Sequence, residues 1–192
     1  MISVIIPTYN EEATIQKIIE QLQKNDEEKL VSQIIISDGG STDNTIFISK
    51  QTNAEVILSP AKGRAAQMNY GASFSSNNIL YFLNADSIPP PGFSTDIVSA
   101  VEKGFASGCF RLSFDYDHWF LKANCWFTRF DINAVRFGGQ SLFVTKEIFE
   151  KPGGFCEDLF MMEGQEIIKR IKKYGKFKVM NGGNYLGKKI PG

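Results

Sequence analysis

The sequence predicts an α/β fold: a mostly parallel sheet flanked by helices on both faces, with a smaller antiparallel portion toward the C-terminus. Three observations carry this. Short, mainly apolar runs recur at Ile2–Ile6, Ile34–Ile36, Ala54–Leu58 and Ile79–Leu83, the last of them continuous, as in parallel strands buried on both faces. Segments of helical period separate them, clearest where Ile15, Ile18, Ile19 and Leu22 fall at i, i+3, i+4 and i+7. Past residue 104 the pattern changes, and Ala106, Gly108, Phe110, Leu112 and Phe114 alternate with polar or small neighbours, as in an exposed or antiparallel strand.

Taken in order, the first strand ends at Pro7, and Asn10 is expected to cap a helix whose first turn holds Glu11 and Glu12, where the helix dipole favours acids. The second strand stops at Ser37-Asp38-Gly39-Gly40-Ser41. A short helix over Asp43–Lys50 follows, with Ser41 or Thr42 as its cap. Strand Ala54–Leu58 leads to a helix from Arg64 to Phe74, and strand Ile79–Leu83 ends at Asn84-Ala85-Asp86, before a loop stiffened by Pro89-Pro90-Pro91-Gly92. In the second half, Trp119 to Phe130 is a dense aromatic segment expected to be helical. Ser141–Thr145 is a short strand, and Lys146–Glu150 a short helix closed by Pro152-Gly153-Gly154. A last helix from Glu163 to Tyr174 carries Ile167, Ile168, Ile171 and Tyr174 on one face, Gly175 stops it, and Phe177–Met180 is the final strand. Without repeats or a low-complexity linker, residues 1–180 are expected to form one domain of two halves, 1–104 and 105–180. The glycine-rich, patternless tail 181–192 is read as a shortened C-terminus, as of a truncated gene product.

Composition narrows the function. A chain of 192 residues buries roughly 70% of the surface its unfolded form exposes, enough to fold without a disulfide or metal staple. Lys+Arg and Asp+Glu both count 21, so no global field draws in nucleic acid, and no nucleic-acid partner is expected. Cys109, Cys125 and Cys156 are irregularly spaced and accompany a single histidine, His118, which disfavours a Cys/His zinc site and suits buried, reduced thiols. There is no basic n-region ahead of Ile2-Ser3-Val4-Ile5-Ile6-Pro7 and no run of 18 apolar residues, so the expected compartment is the cytoplasm.

In open parallel sheets, ligands bind at the carboxyl ends of the strands, near a switch in strand order. Three strand ends here are polar or glycine-rich: Thr8-Tyr9-Asn10-Glu11, Asp38-Gly39-Gly40-Ser41 and Asn84-Ala85-Asp86. They should meet on one edge. Asp86 could hold a divalent cation bridging to substrate phosphates, or start a turn. Asp38 could bond a base or ribose, the glycines admitting close backbone approach, or simply shape its turn. Lys62-Gly63-Arg64 opens a helix; two cations and a helix N-terminus suit a diphosphate, although a solvated basic turn would have the same residues.

The segments Val4-Ile5-Ile6-Pro7-Thr8-Tyr9-Asn10-Glu11-Glu12, Ser37-Asp38-Gly39-Gly40-Ser41-Thr42-Asp43 and Phe82-Leu83-Asn84-Ala85-Asp86 resemble the family 2 glycosyltransferases, whose nucleotide-sugar-binding fold is called GT-A. Gly138-Gly139-Gln140-Ser141-Leu142-Phe143-Val144 and the Gly153-Gly154-Phe155 turn fit the same resemblance, which points to a small bacterial single-domain subgroup. It implies that Pro7, Thr8, Tyr9 and Glu11 line the nucleoside loop, that Asp38 contacts base or ribose, and that Lys62 and Arg64 approach base or diphosphate. Asn84-Ala85-Asp86 takes the place of the D-x-D motif: Asn84 and Ala85 face the nucleotide, and Asp86, with Asn84, faces Mg²⁺ or Mn²⁺. Gly139, Gln140 and Trp119 fall on the acceptor side. The implied activity is inverting transfer of a sugar from a UDP- or GDP-type donor to an acceptor.

Three departures stand out. Asn84 replaces the first acid of D-x-D, and Gly139 stands where related sequences often have Asp. In Met161-Met162-Glu163-Gly164-Gln165-Glu166, the Asp of the usual Glu-Asp pair is Gly164. The base is then Glu163 or Glu166, with Glu157 and Asp158 as further candidates, or the chain binds a nucleotide sugar without turnover. A sugar-1-phosphate nucleotidylyltransferase is disfavoured, since no Gly-rich phosphate loop follows the first strand. Lys169, Arg170, Lys172, Lys173, Lys176 and Lys178 surround an apolar helical face; they form a solvated surface or a peripheral contact with the inner face of the membrane. Trp119, Phe120, Trp126, Phe127 and Phe130 are core, or stack on an acceptor.

Overall fold

The computed structural model describes residues 1–110, 141–158 and 163–180, with Glu163 described by its backbone. Seven strands, β1 (Ile2–Thr8), β2 (Val31–Asp38), β3 (Glu55–Leu58), β4 (Ile79–Phe82), β5 (Phe105–Phe110), β6 (Leu142–Thr145) and β7 (Lys176–Met180), form one sheet in the order β3-β2-β1-β4-β6-β5-β7. β1 pairs in parallel with both β2 and β4, Val4 lying opposite Ile34 and Tyr81. β6 is antiparallel to β4 and to β5, whereas β5 and β7 are parallel, so among these strands only β6 runs against the rest. The alternating segment read as exposed or antiparallel is β5. It is antiparallel to β6, and its last four residues are buried, because β6 and β7 cover it on both sides.

The continuous apolar runs follow from a sheet covered twice. Ile2, Val4 and Ile6 face one layer with α1 (Ile15–Asn25) and α4 (Phe93–Glu102), and Ile48 of α2 (Thr45–Lys50) packs at its margin. Ile5, Ile35, Leu80, Phe82 and Val144 face the other, against α3 (Arg64–Ser73), α5 (Lys146–Glu150) and α6 (Glu163–Ile171). Every strand residue of β1 is buried, and its two polar side chains, Ser3 and Thr8, are both hydrogen-bonded. Helix α4 was not expected from the sequence. Its stripe of Phe93, Ile97 and Ala100 has helical spacing, but the preceding prolines drew attention to a loop.

The helix starts differ from expectation. Asn10 does not cap α1: it takes a left-handed φ of 55°, and its Oδ1 accepts the Thr42 N–H at 2.8 Å. α1 begins at Ile15 and has no acid in its first turn, so Glu11 and Glu12 precede it. Nor does Ser41 or Thr42 cap α2, which begins at Thr45; the Ser41 hydroxyl donates to Asp38 instead. Asn10 is drawn away by a bond between the two loops, whereas the Ser41 hydroxyl donates within its own turn and accepts the Asn10 N–H from the other loop. α6 also ends at Ile171 rather than Tyr174.

The chain adds β2 and β3 on one side of β1 and then returns to place β4 on the other. That reversal puts a crevice at the carboxyl ends of β1 and β4. α6 feeds β7, which runs parallel to β5. A helix leading into such a strand runs back along the sheet, directing its Glu163 end toward the same carboxyl edge.

Candidate functional site

The strand ends expected to meet do so, as β2, β1 and β4 are neighbours. Asp38 ends β2, is 0% exposed, and its carboxylate is surrounded by donors. Oδ1 accepts the N–H groups of Gly40 (2.9 Å) and Ser41 (2.7 Å); Oδ2 accepts the hydroxyls of Thr8 (2.9 Å) and Ser41 (2.6 Å). A buried carboxylate is tolerated only when bonded in this way. Asp38 therefore shapes the turn and joins β2 to β1. Thr8 is equally buried, Tyr9 is exposed, and Glu11 is half-buried with Oε2 accepting the Thr14 hydroxyl at 2.9 Å.

The loops after β1 and β2 are stitched together. The Asn10 N–H donates to Ser41 Oγ (2.9 Å), the Glu11 N–H to Thr45 Oγ1 (2.7 Å) and the Glu12 N–H to Asp43 Oδ2 (3.2 Å). In return, the Asn44 N–H donates to Glu12 Oε2 at 2.9 Å. Burial pushes the Asp43 carboxyl up, but bonds from the Thr45 hydroxyl and the Thr45 and Glu12 backbones outweigh it and hold Asp43 below the ordinary carboxylate range.

Helix α3 lies under these strands. Lys62 and Gly63 are exposed and Arg64 is half-buried; Gly63 enters the helix at φ 115°, a conformation that excludes most side chains. One turn on, Gln67 Nε2 donates to the carbonyls of Thr8 (2.6 Å) and Ser37 (2.9 Å), fixing the two strand ends to the helix. A Cβ on Gly39 would come within 2.9 Å of that amide, and one on Gly71 within 2.5 Å of the Ile5 side chain. The absence of side chains at both positions lets α3 sit this close. The sequence analysis missed Gln67, Asn10, Glu12 and Asp43 as site-building residues. A polar residue on the buried side of a helix was the available signal for Gln67.

At the end of β4, Asn84 and Asp86 are half-buried and Ala85 is buried. Asp86 Oδ1 accepts the Ser87 hydroxyl at 3.1 Å, and Oδ2 has no hydrogen bond from a described residue. Among the described residues there is no cluster of three metal-ligating side chains. The donor set still fits a hard divalent cation: one carboxylate and one amide oxygen, with the remaining positions left to phosphate oxygens and water.

Glu163 begins α6, followed by Gly164, Gln165 and Glu166. Glu166 is held in a bidentate fork by Arg170, whose Nη1 also donates to the Pro152 carbonyl at 2.7 Å. No atom of a described residue lies within 4 Å of where a Cβ on Gly164 would stand. Asn69 of α3 bonds the Phe155 backbone and Glu157. Trp119, Gly139 and Gln140 lie outside the described residues, as do Phe120 to Phe130 and the tail 181–192.

Neighbouring parallel strands ending at a switch point place this chain among the open α/β proteins whose ligands sit at the carboxyl edge. More specifically, the model of glycosyl transferase family 2 matches residues 3–154, and the chain belongs to that family. Glucosyl-3-phosphoglycerate synthase of Mycobacterium tuberculosis is 34% identical over 99 residues, covering 46% of this chain and 30% of that protein. Glycosyltransferase AglE of Haloferax volcanii is 35% identical over 94 residues, covering 46% and 31%. The matches thus span less than a third of either relative. Among solved structures, S. aureus TarS superposes with a TM-score of 0.78 at 16% identity, over 96% of this chain and 59% of that one. The M. tuberculosis synthase in complex with Mn²⁺, UDP and glucosyl-3-phosphoglycerate gives 0.70 at 21%, over 100% and 73%. The mannosyltransferase PcManGT from Pyrobaculum calidifontis, with GDP-Man and Mn²⁺, gives 0.75 at 15%, over 96% and 56%. At such identities the likeness is one of fold, and that fold is the GT-A arrangement expected from the sequence.

Proposed function

We propose that this chain transfers a glycosyl group, with inversion, from a nucleoside-diphosphate sugar of the UDP or GDP type to an acceptor hydroxyl. The observation that carries this reading is Asp86 at the switch point, with one carboxylate oxygen unengaged by any described residue, on the same sheet edge as the loops following Thr8 and Asp38. Pro7, Thr8, Tyr9 and Glu11 belong to the nucleoside loop, and Asp38 holds that loop and its own glycine turn in shape. Lys62 and Arg64, at the start of α3, attract the diphosphate. Asp86, with Asn84, would hold Mg²⁺ or Mn²⁺, which when bound offsets charge on the departing diphosphate. Solved relatives in complex with UDP, UDP-GlcNAc or GDP-Man, two of these complexes with Mn²⁺, support this donor class and cation.

In the reaction, the acceptor oxygen attacks the anomeric carbon while its proton passes to a carboxylate base. The bond to the diphosphate oxygen breaks, and the leaving group takes the electron pair. Glu163 is the base in this reading, because Glu166 is occupied by Arg170. Gly139, Gln140 and Trp119 are assigned to the acceptor side. Residues 1–104 serve the donor and 105–180 the acceptor, within one domain.

Gly164 favours a second reading, nucleotide-sugar binding without turnover. Calorimetry with UDP and GDP, with and without MnCl₂, tests both; no binding of either nucleotide would defeat them together. Asp86→Ala should abolish the Mn²⁺ dependence of binding. Release of free nucleotide from UDP-GlcNAc or GDP-Man then separates enzyme from binder, and Glu163→Gln should abolish that release. If turnover is absent and Gly164→Asp creates it, the second reading holds for the natural chain.

Among the described residues no helix is long and apolar enough to cross a membrane. The proposed location is the cytoplasm, with exposed Lys169, Lys173 and Lys176 supporting peripheral contact with anionic lipid. Sedimentation with anionic vesicles, abolished by salt, is the expected result.

A further inference from the structure

We infer that Asn69 is a positioning residue: by holding the Gly154–Glu157 turn, which precedes Glu163 in the chain, it sets the placement of that base relative to the helix start that bears Lys62 and Arg64. The inference rests on the transferase reading above and adds to it a residue with no expected contact to donor or acceptor.

An asparagine amide offers two donors and one acceptor oxygen, and all are in use here. Nδ2 donates to the Phe155 carbonyl at 2.9 Å, and Oδ1 accepts the Phe155 N–H at 2.8 Å. These two bonds close a ring with a single backbone residue, as a neighbouring strand would. A third bond runs from Nδ2 to Glu157 Oε1 at 2.8 Å. The turn is shaped around the amide: Gly154 has φ +73°, and a Cβ there would stand 2.6 Å from Asn69 Oδ1. The Phe155 ring packs edge-on against Phe82, centroids 5.0 Å apart, and against Phe149 at 5.5 Å. The turn is thereby anchored to the end of β4 as well as to α3.

The position of Asn69 within α3 gives this anchor its consequence. Lys62 and Arg64 stand at the helix start, and Gln67 ties the same helix to the ends of β1 and β2. About half a turn of helix, from Gln67 to Asn69, therefore connects the donor-side strand ends to the Phe155–Glu157 turn. From Glu157, five residues lead to Glu163. A base must stand within hydrogen-bond reach of the acceptor hydroxyl, and an error of about 1 Å can cost on the order of a hundredfold in rate. Loosening the turn should degrade that geometry and leave nucleotide binding intact.

The experiment compares the full chain with Asn69→Ala, Asn69→Asp and the double variant Asn69→Asp/Glu157→Gln. Nucleotide release from UDP-GlcNAc and GDP-Man gives kcat and KM, calorimetry with UDP or GDP and MnCl₂ gives affinity, and amide hydrogen exchange reports on residues 153–158. Asn69→Ala should lower kcat about tenfold to a hundredfold, with KM and nucleotide affinity changed less than about twofold. Asn69→Asp sets a carboxylate against both Glu157 and the Phe155 carbonyl and should be worse; the double variant restores a donor opposite an acceptor at position 157 alone and should recover part of that further loss. Unchanged kcat in Asn69→Ala, affinity falling in step with kcat, or no recovery in the double variant would overturn the inference. Should the parent chain bind neither nucleotide, the transferase reading fails by itself, and hydrogen exchange then decides on Asn69. Faster exchange over 153–158 in Asn69→Ala, with β1 unchanged, would uphold the anchor, and unchanged exchange would refute it.

Discussion

At the β1–β2 end of the sheet, side chains hold loops to loops. Asp38 receives donors from its own turn and from Thr8, and the bonds among Asn10, Glu12, Ser41, Asp43 and Thr45 fasten two connections that are thirty residues apart in sequence. At the β5–β7 end, the described contacts are chiefly apolar. Phe110 and Met180 join one core layer, and Ile167, Ile168 and Ile171 of α6 close the other. Lysines finish the exposed edge, with Lys172 over the Phe177 ring and Lys178 over Phe105. The polar end is specified by directional bonds to a few atoms, and the apolar end by shape. Directional bonding suits a loop that must present backbone and side chains to a ligand at fixed places; apolar packing suffices for a sheet edge.

This contrast is open to attack by mutation. The largest effect should come from Asp38→Ala, which strands the buried donors of Thr8, Gly40 and Ser41. A loss of about 3–5 kcal/mol is expected, read as a lower urea midpoint at constant slope. A cost under about 1 kcal/mol would mean that the loops do not depend on their carboxylate. At the apolar end, Gly108→Ala should cost about 2–3 kcal/mol through overpacking, because the new Cβ would lie 2.3 Å from the Lys178 carbonyl oxygen and 2.5 Å from the Phe143 ring. It should leave UDP or GDP affinity unchanged. A matching fall in affinity would show the two ends to be coupled more tightly than their contacts suggest.

Gln67→Ala comes next, at about 2 kcal/mol, since it removes a buried donor from the Ser37 carbonyl and from the Thr8 carbonyl, which keeps only the Gly39 N–H. Unlike Gly108→Ala, it should also weaken nucleotide binding, which calorimetry on the same sample would detect. The smallest effect is acidification. Asp43 has a depressed pKa when folded, so its stabilising bonds are fully present above the unfolded value of about 4 and are lost as pH falls through the folded value. Amide exchange in residues 9–14 and 40–45 should accelerate there before β5–β7 responds. Asp43→Asn should remove that difference in pH response.

Much of this molecule was legible in its residues. The four apolar runs and the isoleucine-rich helices identified a parallel sheet, and the motifs at Thr8, Asp38 and Asp86 marked strand ends that the fold brings to one edge. Glycines marked the turns, because few other residues reach those backbone angles. What escaped was the loop chemistry. Asn10, Glu12 and Ser41 look like helix caps in one dimension, since capping is what such residues do beside a helix when nothing else is near. Gln67 and Asn69 were overlooked for a related reason: an amide on a helix carries no mark of the backbone it will meet.

The sequence by itself determined the architecture and the family, and it marked the strand ends that meet on one edge, because period, propensity and motif are local properties that survive without a partner. The tertiary structure decided how the polar groups at those ends are engaged. Asp38 is enclosed by donors from its own turn and from Thr8, Glu166 is engaged by Arg170, which also reaches the Pro152 carbonyl, and Asp86 retains an oxygen that no described residue bonds. The bonds from Thr8 to Asp38 and from Arg170 to Pro152 depend on groups brought within 3 Å or so of one another from distant parts of the chain, and hydrogen bonds form between neighbours in space.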